Sequence, residues 1–472
     1  MELPKPKQWE VLSLVPILAG LYWLLAEVGL SWWLWALVPG GLLLASGLAL
    51  LLMPGDPRIL GLMALGSVLG VLLAIPAWWS ADTGTVVLAV AGSVASFLAC
   101  GRAAVLRAPV HDGAVPPVVD RSMDLKVGLD EAVLGYFVCT ARLPSGDMAA
   151  KACEEAGRLE AALASRGWLD DASGFHPAPT PPKQTYVHRA RLYGHGYEVL
   201  RFDSGYDPDP DLPGAQAWKL QAANDECEVR ILRHPGPPRP WLMCIHGYRM
   251  GMAWMDFGLF PPGYLHHRLG FNLVMPVLPL HGTRRVGLRS GDRYLDGDPL
   301  DLVYAQAQAL WDLRRTIAWL RATEERPRIG VYGVSLGGYN TALLANYETG
   351  LDFAVAGIPV VDFSYALWRF LPPMHAQYFA ARGLDEARYE RILSVVSPLT
   401  RTPQLAREHL HIVAATADRI VVPHHPVRLS RHWQVPVTWY QGSHLSIRRE
   451  REVREVLRLA SARAGWREDG TG

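Results

Sequence analysis

Arg328-Ile-Gly-Val-Tyr-Gly333-Val-Ser335-Leu-Gly337-Gly338 is the stretch whose reading decides the fold. Gly333, Ser335 and Gly337 form a Gly-x-Ser-x-Gly pentapeptide. With 44 glycines in 472 residues, chance supplies roughly 0.2 such pentapeptides, so the motif alone says little. Its setting says more. A β-rich run precedes it and the helix formers Thr341–Asn346 follow it, which predicts strand, tight turn and helix in succession. In that arrangement the serine takes a strained turn, and small residues two positions either side let the two backbones pass closely.

Outward from this turn, short apolar runs alternate with helical ones. Candidate strands are 197–202, 228–232, 241–245 and 272–278 before it, with 328–334, 353–361, 410–414 and 437–440 at and after it. Helical segments fall at 302–323 and 336–347. Strands of four to eight residues alternating with helices predict an α/β sheet, parallel in its later part.

Over about residues 195–460 the chain resembles the α/β-hydrolase superfamily. The resemblance implies an oxyanion-hole loop after an earlier strand, which Trp241-Leu-Met-Cys-Ile-His246-Gly247-Tyr248 supplies. It further implies that the backbone N–H groups of Tyr248 and Leu336 hold the oxyanion, with Gly333, Gly337 and Gly247 as the elbow and loop glycines. The acid is expected after the penultimate strand, where His411-Ile-Val-Ala-Ala-Thr-Ala-Asp418 places Asp418. Asp362, after Ile358-Pro-Val-Val361, is the alternative acid. The base is expected in the loop after the last strand, and Val437-Thr-Trp-Tyr440-Gln-Gly-Ser-His444 offers His444. The order Ser335, Asp418, His444 is the family's order. His424, His425 and His432 are expected at the surface or behind the site. A cap-like insertion is expected at about 363–408, where Tyr365, Trp368, Phe370, Leu371, Met374 and Tyr378 line an apolar pocket or pack the cap on the sheet. Arg284 and Arg285, in a loop that borders the active site in this family, either meet an anionic group or are solvated.

The front of the chain is different. Four apolar segments, Val11–Ala26, Val28–Met53, Ile59–Trp79 and Gly84–Gly101, contain no charged residue or histidine. A bilayer core of about 30 Å needs about 20 helical residues. The last three segments reach or approach that, and the first is short. Trp9, Trp32, Trp33, Trp35, Trp78 and Trp79 lie near segment ends, where indole rings suit the interface. Gly66 with Gly70, and Gly92 with Ser96, are spaced for close helix packing. Lys5, Lys7, Arg58, Arg102 and Arg107 alternate with acidic connections at Glu27 and Asp82, which predicts four spans with both termini in the cytoplasm.

Lys and Arg number 46 against 45 Asp and Glu, a balance that gives no support to nucleic-acid binding. Five cysteines, none in a CxxC pair, fit neither a disulfide scaffold nor a zinc ribbon. The expected organisation is a transmembrane anchor of about four helices at 1–106, then a linker and a helix (about 147–166) at 107–185. An α/β-hydrolase domain follows at 186–465. The expected function is a membrane-anchored serine hydrolase cleaving a carboxylic ester, with a small-molecule or lipid ester as substrate and the bilayer as partner. No cofactor and no metal are expected, and the catalytic domain is expected on the cytoplasmic face of an inner or plasma membrane. A serine peptidase or thioesterase of the same fold is the runner-up, and a silent membrane scaffold is the rival of a different class. The charge-free spans speak against a transporter.

Overall fold

A nine-stranded mixed sheet carries the serine motif. The computed structural model describes residues 8–26, 29–109 and 111–466; Lys5, Lys7, Glu27 and the side chain of Trp9 lie outside what is described. The strands are β1 (Tyr186–Leu192), β2 (His195–Asp203), β3 (Glu226–Leu232), β4 (Trp241–Ile245), β5 (Asn272–Pro276), β6 (Ile329–Val334), β7 (Phe353–Gly357), β8 (Leu410–Ala415) and β9 (Val437–Tyr440). Their order in the sheet is β1-β2-β3-β5-β4-β6-β7-β8-β9. The first three strands join antiparallel, and β5, β4, β6, β7 and β8 run parallel. Every residue of β4, β5, β6, β7 and β8 is buried, as continuous apolar strands covered on both faces should be. This is an α/β-hydrolase-like sheet flanked by helices, preceded by three long apolar helices.

The chain divides into two compact units. The larger is Arg142–Ala414, His425–Thr438 and Glu450–Gly472. In it, Ala342 and Ala345 of the Leu336–Tyr347 helix pack with Ala354 and Ala356 of β7, Ile412 of β8, and Leu429 and Trp433. The small side chains let helix and sheet approach closely. The helix expected at about 147–166 runs Gly146–Ser165 and buries Ala152, Ala156, Leu159 and Leu163, but Met148 is 67% exposed and does not belong to the packed face. Its Glu160 pairs with Arg388 at 2.6 Å.

The other unit is Met1–Ala141, Ala415–His424 and Trp439–Arg449. It does not follow the boundary at 106: a helix at Arg121–Thr140 belongs to it, and so do the loops that follow β8 and β9. Three helices, Leu30–Leu52, Arg58–Ala77 and Thr83–Leu106, are long and apolar enough to cross a membrane, whereas the first apolar stretch is a shorter helix at Glu10–Leu25. The expected four spans are therefore three long helices and a shorter one. The small residues work as contacts. A Cβ on Gly66 would lie 2.8 Å from the Cβ of Leu42, and one on Gly70 would lie 2.3 Å from Ser93 Oγ. Trp78 and Trp79 are exposed, but Trp32 is fully buried. It stacks on Trp23 with centroids 5.0 Å apart and donates to the Trp23 carbonyl at 2.9 Å, so it is a packing residue and not an interfacial one. Arg58 pairs with Asp56 at 2.6 Å and Arg102 with Asp124 at 2.7 Å.

In the same unit the Arg121–Thr140 helix buries Met123, Asp124, Val127, Gly128, Asp130, Glu131, Leu134 and Gly135, a stripe at helical spacing that contains three carboxylates. A Cβ on Gly135 would lie 2.1 Å from the carbonyl oxygen of Gly61, and one on Gly101 would lie 1.9 Å from that of Asp124, so the helix sits directly on two of the long apolar helices. Cys100, Cys153, Cys227 and Cys244 are buried and Cys139, near the end of the Arg121–Thr140 helix, is exposed.

Candidate active site

β6 ends at Val334 and the helix begins at Leu336, leaving Ser335 alone in the turn. It takes φ +60° and ψ −114°, a conformation that costs about 1–3 kcal/mol in a non-glycine residue and persists only where the surroundings impose it. The two flanking glycines show how. A Cβ on Gly333 would lie 2.0 Å from the Gly337 carbonyl oxygen, and one on Gly337 would lie 1.8 Å from that of Ile245. The Ser335 N–H donates to Gly357 O at 2.8 Å. Strand, serine turn and helix thus follow the arrangement read from the sequence. Leu336 is the first residue of the helix, where an N–H has no intrahelical acceptor and the helix dipole is positive.

The loop after β4 comes close to this turn. A Cβ on Gly247 would lie 3.6 Å from that of Ser335, and Tyr248 follows it. His246 is a peg for this loop: its Nδ1–H donates to Gly247 O at 2.9 Å, and its Nε2 accepts the Leu278 N–H at 3.1 Å. Burial pushes its pKa down to about 4, against the help of the Gly247 carbonyl, so the ring is neutral. Further along the loop, buried Arg230 donates to Gly251 O at 2.7 Å and pairs with Asp256 at 2.6 Å, and Asp256 accepts the Gly251 N–H at 3.0 Å.

Arg284 is fully buried. It donates to Val277 O and Asn224 O, both at 2.9 Å, and pairs with Asp312 at 2.8 Å. Neither expected role holds for it: it is neither solvated nor open to a substrate anion, but ties its loop to the helix Asp301–Thr323. Arg285 donates to Gly282 O at 3.1 Å.

Asp362 caps the short helix Phe363–Trp368 by accepting the Tyr365 N–H at 3.0 Å, also accepts from Ser364 Oγ at 2.5 Å, and is ion-paired to Arg428. Burial opposes its ionised form, but these donors and the Arg428 charge hold its pKa below the usual carboxylate value. Among the histidines set aside from the triad, His425 is buried near the Val361 N–H, and His432 Nε2 lies 2.8 Å from Arg401 O. The insertion after Asp362 is helical, at Phe363–Trp368, Pro373–Ala381 and Glu386–Leu393. Tyr365, Trp368, Phe370 and Leu371 are half-buried, while Met374 is 81% exposed.

Asp418 and His444 lie in the other unit and meet there: His444 Nδ1 is 2.8 Å from Asp418 Oδ2. Asp418 Oδ1 accepts the N–H groups of Ile420 at 2.9 Å and Val421 at 2.7 Å, which fixes the carboxylate plane. Burial lowers the basicity of His444, but the charge and hydrogen bond of Asp418, joined by the charge of Asp130, outweigh it and raise its pKa above 6.5. Asp130 is a residue that sequence reasoning missed. It reaches the His444 loop from the Arg121–Thr140 helix, and the signal for it was three carboxylates set into an apolar stripe. Among the described residues no group of three or more His, Cys, Asp or Glu is placed to hold a metal ion.

Residues 316–452, which include Ser335, Asp418 and His444, match the prolyl oligopeptidase family. Two uncharacterised proteins of Mycobacterium tuberculosis, from strains CDC 1551 / Oshkosh and ATCC 25618 / H37Rv, are each 40% identical over 303 residues, 64% of this chain and 72% of theirs. Among solved structures, the acetyl xylan esterase of Paenibacillus sp. R4 is similar over 64% of this chain and 94% of its own, at 15% identity and a TM-score of 0.42.

Proposed function

Because the chain belongs to one family with the two Mycobacterium tuberculosis proteins and carries a prolyl oligopeptidase family region, we propose that it is a serine hydrolase that cleaves carboxylic esters at a membrane. The observation that carries this reading is Ser335 held at φ +60° between glycines that admit no side chain. In this reading His444, oriented by Asp418, takes the proton of Ser335 as its Oγ attacks the acyl carbon. The N–H groups of Tyr248 and Leu336 stabilise the oxyanion, and water deprotonated by His444 releases the acyl group. The chemistry asks for no cofactor. Three long apolar helices favour an anchored enzyme whose substrate is a lipid acyl ester or another apolar ester, and the aromatic helices after Asp362 suit an apolar acyl chain.

The family match at 316–452 favours one second reading, a peptidase. Labelling the detergent-solubilised full chain with a fluorophosphonate, beside a Ser335→Ala control, tests the shared premise. Labelling that disappears in the control is expected; a folded wild type that resists the probe overturns the serine hydrolase reading. Hydrolysis of p-nitrophenyl acyl esters of increasing length against peptide p-nitroanilides then separates the two substrates. The ester reading expects kcat/KM for the best ester to exceed that for any amide and to rise with acyl length.

A further inference from the structure

The proposed base is held from two sides. Its imidazole is held by Asp418, and its backbone is held by Asp130, a fully buried carboxylate of the Arg121–Thr140 helix. Asp130 Oδ2 accepts the His444 N–H at 2.8 Å and the Arg419 N–H at 3.2 Å. Its Oδ1 accepts from Ser443 Oγ at 2.9 Å and from the Leu445 N–H at 3.1 Å. Four donors from the acid loop and the base loop therefore converge on one side chain. Beside it, Glu131 accepts from Arg419 Nε at 2.7 Å, and Lys126, one turn earlier, donates to Gln441 O at 3.0 Å. The short helix that starts at His444 takes its N-terminal acceptor from a helix some 300 residues away in sequence, where a local serine or aspartate would be the ordinary choice.

We propose that Asp130 is a positioning residue for His444, fixing the backbone of the base and adding a second negative charge beside the imidazolium that forms as Ser335 attacks. The proposal rests on His444 being the base. A purely structural role would be met by any acceptor of this size. What sets Asp130 apart is that two of its four donors are the backbone of the base and that of the residue after the acid, so an error in its position is passed to both. The charged groups around His444 in this unit are Asp418 from the loop after β8, Asp130 from the helix, and the Arg419–Glu131 ion pair and Lys126 behind them. Burial and the nearby Asp418 charge push the Asp130 pKa up to about 7, against the His444 charge and the N–H groups of His444 and Leu445.

The test is the Asp130→Asn variant of the full chain in detergent, with active sites counted by fluorophosphonate titration and kcat and KM measured against pH on a p-nitrophenyl ester. Asparagine keeps the shape and one acceptor but removes the charge. Per active site, kcat is expected to fall about tenfold or more with KM within about twofold. The acid limb of kcat/KM, set in this reading by protonation of His444, whose pKa Asp418 and Asp130 raise, is expected to move to lower pH as the imidazolium loses a carboxylate. An unchanged limb with kcat per active site within twofold of wild type overturns the proposal and assigns Asp130 to stability alone. If Asp130→Asn does not fold, Ser443→Ala keeps the carboxylate and removes its hydroxyl donor; a loss in kcat of about threefold or more at constant KM supports the proposal, and no loss overturns it. Failure of the serine hydrolase reading is distinct, because the wild type itself would then not be labelled at Ser335.

Discussion

Asp362 and Asp418 compete in the sequence for one role, and their hydrogen-bond partners differ. Asp362 spends its oxygens on a helix cap and on Arg428. Asp418 gives one oxygen to its own loop and the other to His444. Asp418→Asn is accordingly expected to lower kcat by about 10³–10⁴-fold, the loss typical when a base is left without its orienting carboxylate. Asp362→Asn is expected to keep kcat within about threefold and to cost no more than about 1 kcal/mol of stability through the lost Arg428 ion pair, because asparagine caps a helix as well as aspartate does. Steady-state kinetics and thermal melts on the two variants check both, and equal losses in kcat would give Asp418 no claim to the acid role over Asp362. The positions of Ser335, Asp418 and His444 after strand ends were legible, because strand ends are written locally in the chain. Asp130 was not: its bond to the His444 N–H spans 314 positions, and nothing in either segment announces the other. Arg284 misled for the same reason, since its partners Asn224 and Asp312 are distant in sequence.

At the scale of elements, the central strands and the β9 edge were legible and the β1 edge was not. β4 and β9 lie where the apolar runs predicted, because their lengths match the runs and turns bound them. β1 escaped because it is an edge strand, with His188, Arg189 and Arg191 in its seven residues, and exposed edges carry charge to discourage pairing with other chains. The helix Arg121–Thr140 escaped because Asp124, Asp130 and Glu131 occupy its buried stripe, so polarity alone does not tell its inner from its outer face. The elbow, by contrast, is specified tightly. Alanine at position 337 would put a Cβ 1.8 Å from the backbone oxygen of Ile245, and backbone cannot yield as a flexible side chain can. Gly337→Ala is expected to destabilise the hydrolase unit by more than about 3 kcal/mol or to prevent its folding, read as a collapse in the yield of monodisperse protein. A variant that melts like the wild type would mean that β4 and the helix can part at no cost.

For the whole molecule, the question is what the N-terminal helices are for. Their length, their apolar composition and their exposed side chains, Leu34, Leu37, Leu72, Ile75 and Trp79 among them, suit contact with lipid. The chain is expected to stay in the membrane fraction through an alkaline carbonate wash and to leave it only with detergent; release by carbonate would dismiss the anchor. The same unit holds the loops of Asp418 and His444, and Ala417, one residue before the acid, packs in an apolar cluster with Leu60, Met63 and Val127. That arrangement was not legible, because the sequence places the front of the chain and these loops hundreds of residues apart. The cysteines offer a way to watch it. Four of the five are buried and Cys139 alone is exposed, on the helix that carries Asp130 and about 13 Å further along its axis at 1.5 Å per residue. A maleimide dye or nitroxide added to the unmodified protein would attach there and nowhere else while it remains folded. The molecule thus carries a built-in spectroscopic handle on the helix that bears Asp130, usable without engineering a cysteine-free background.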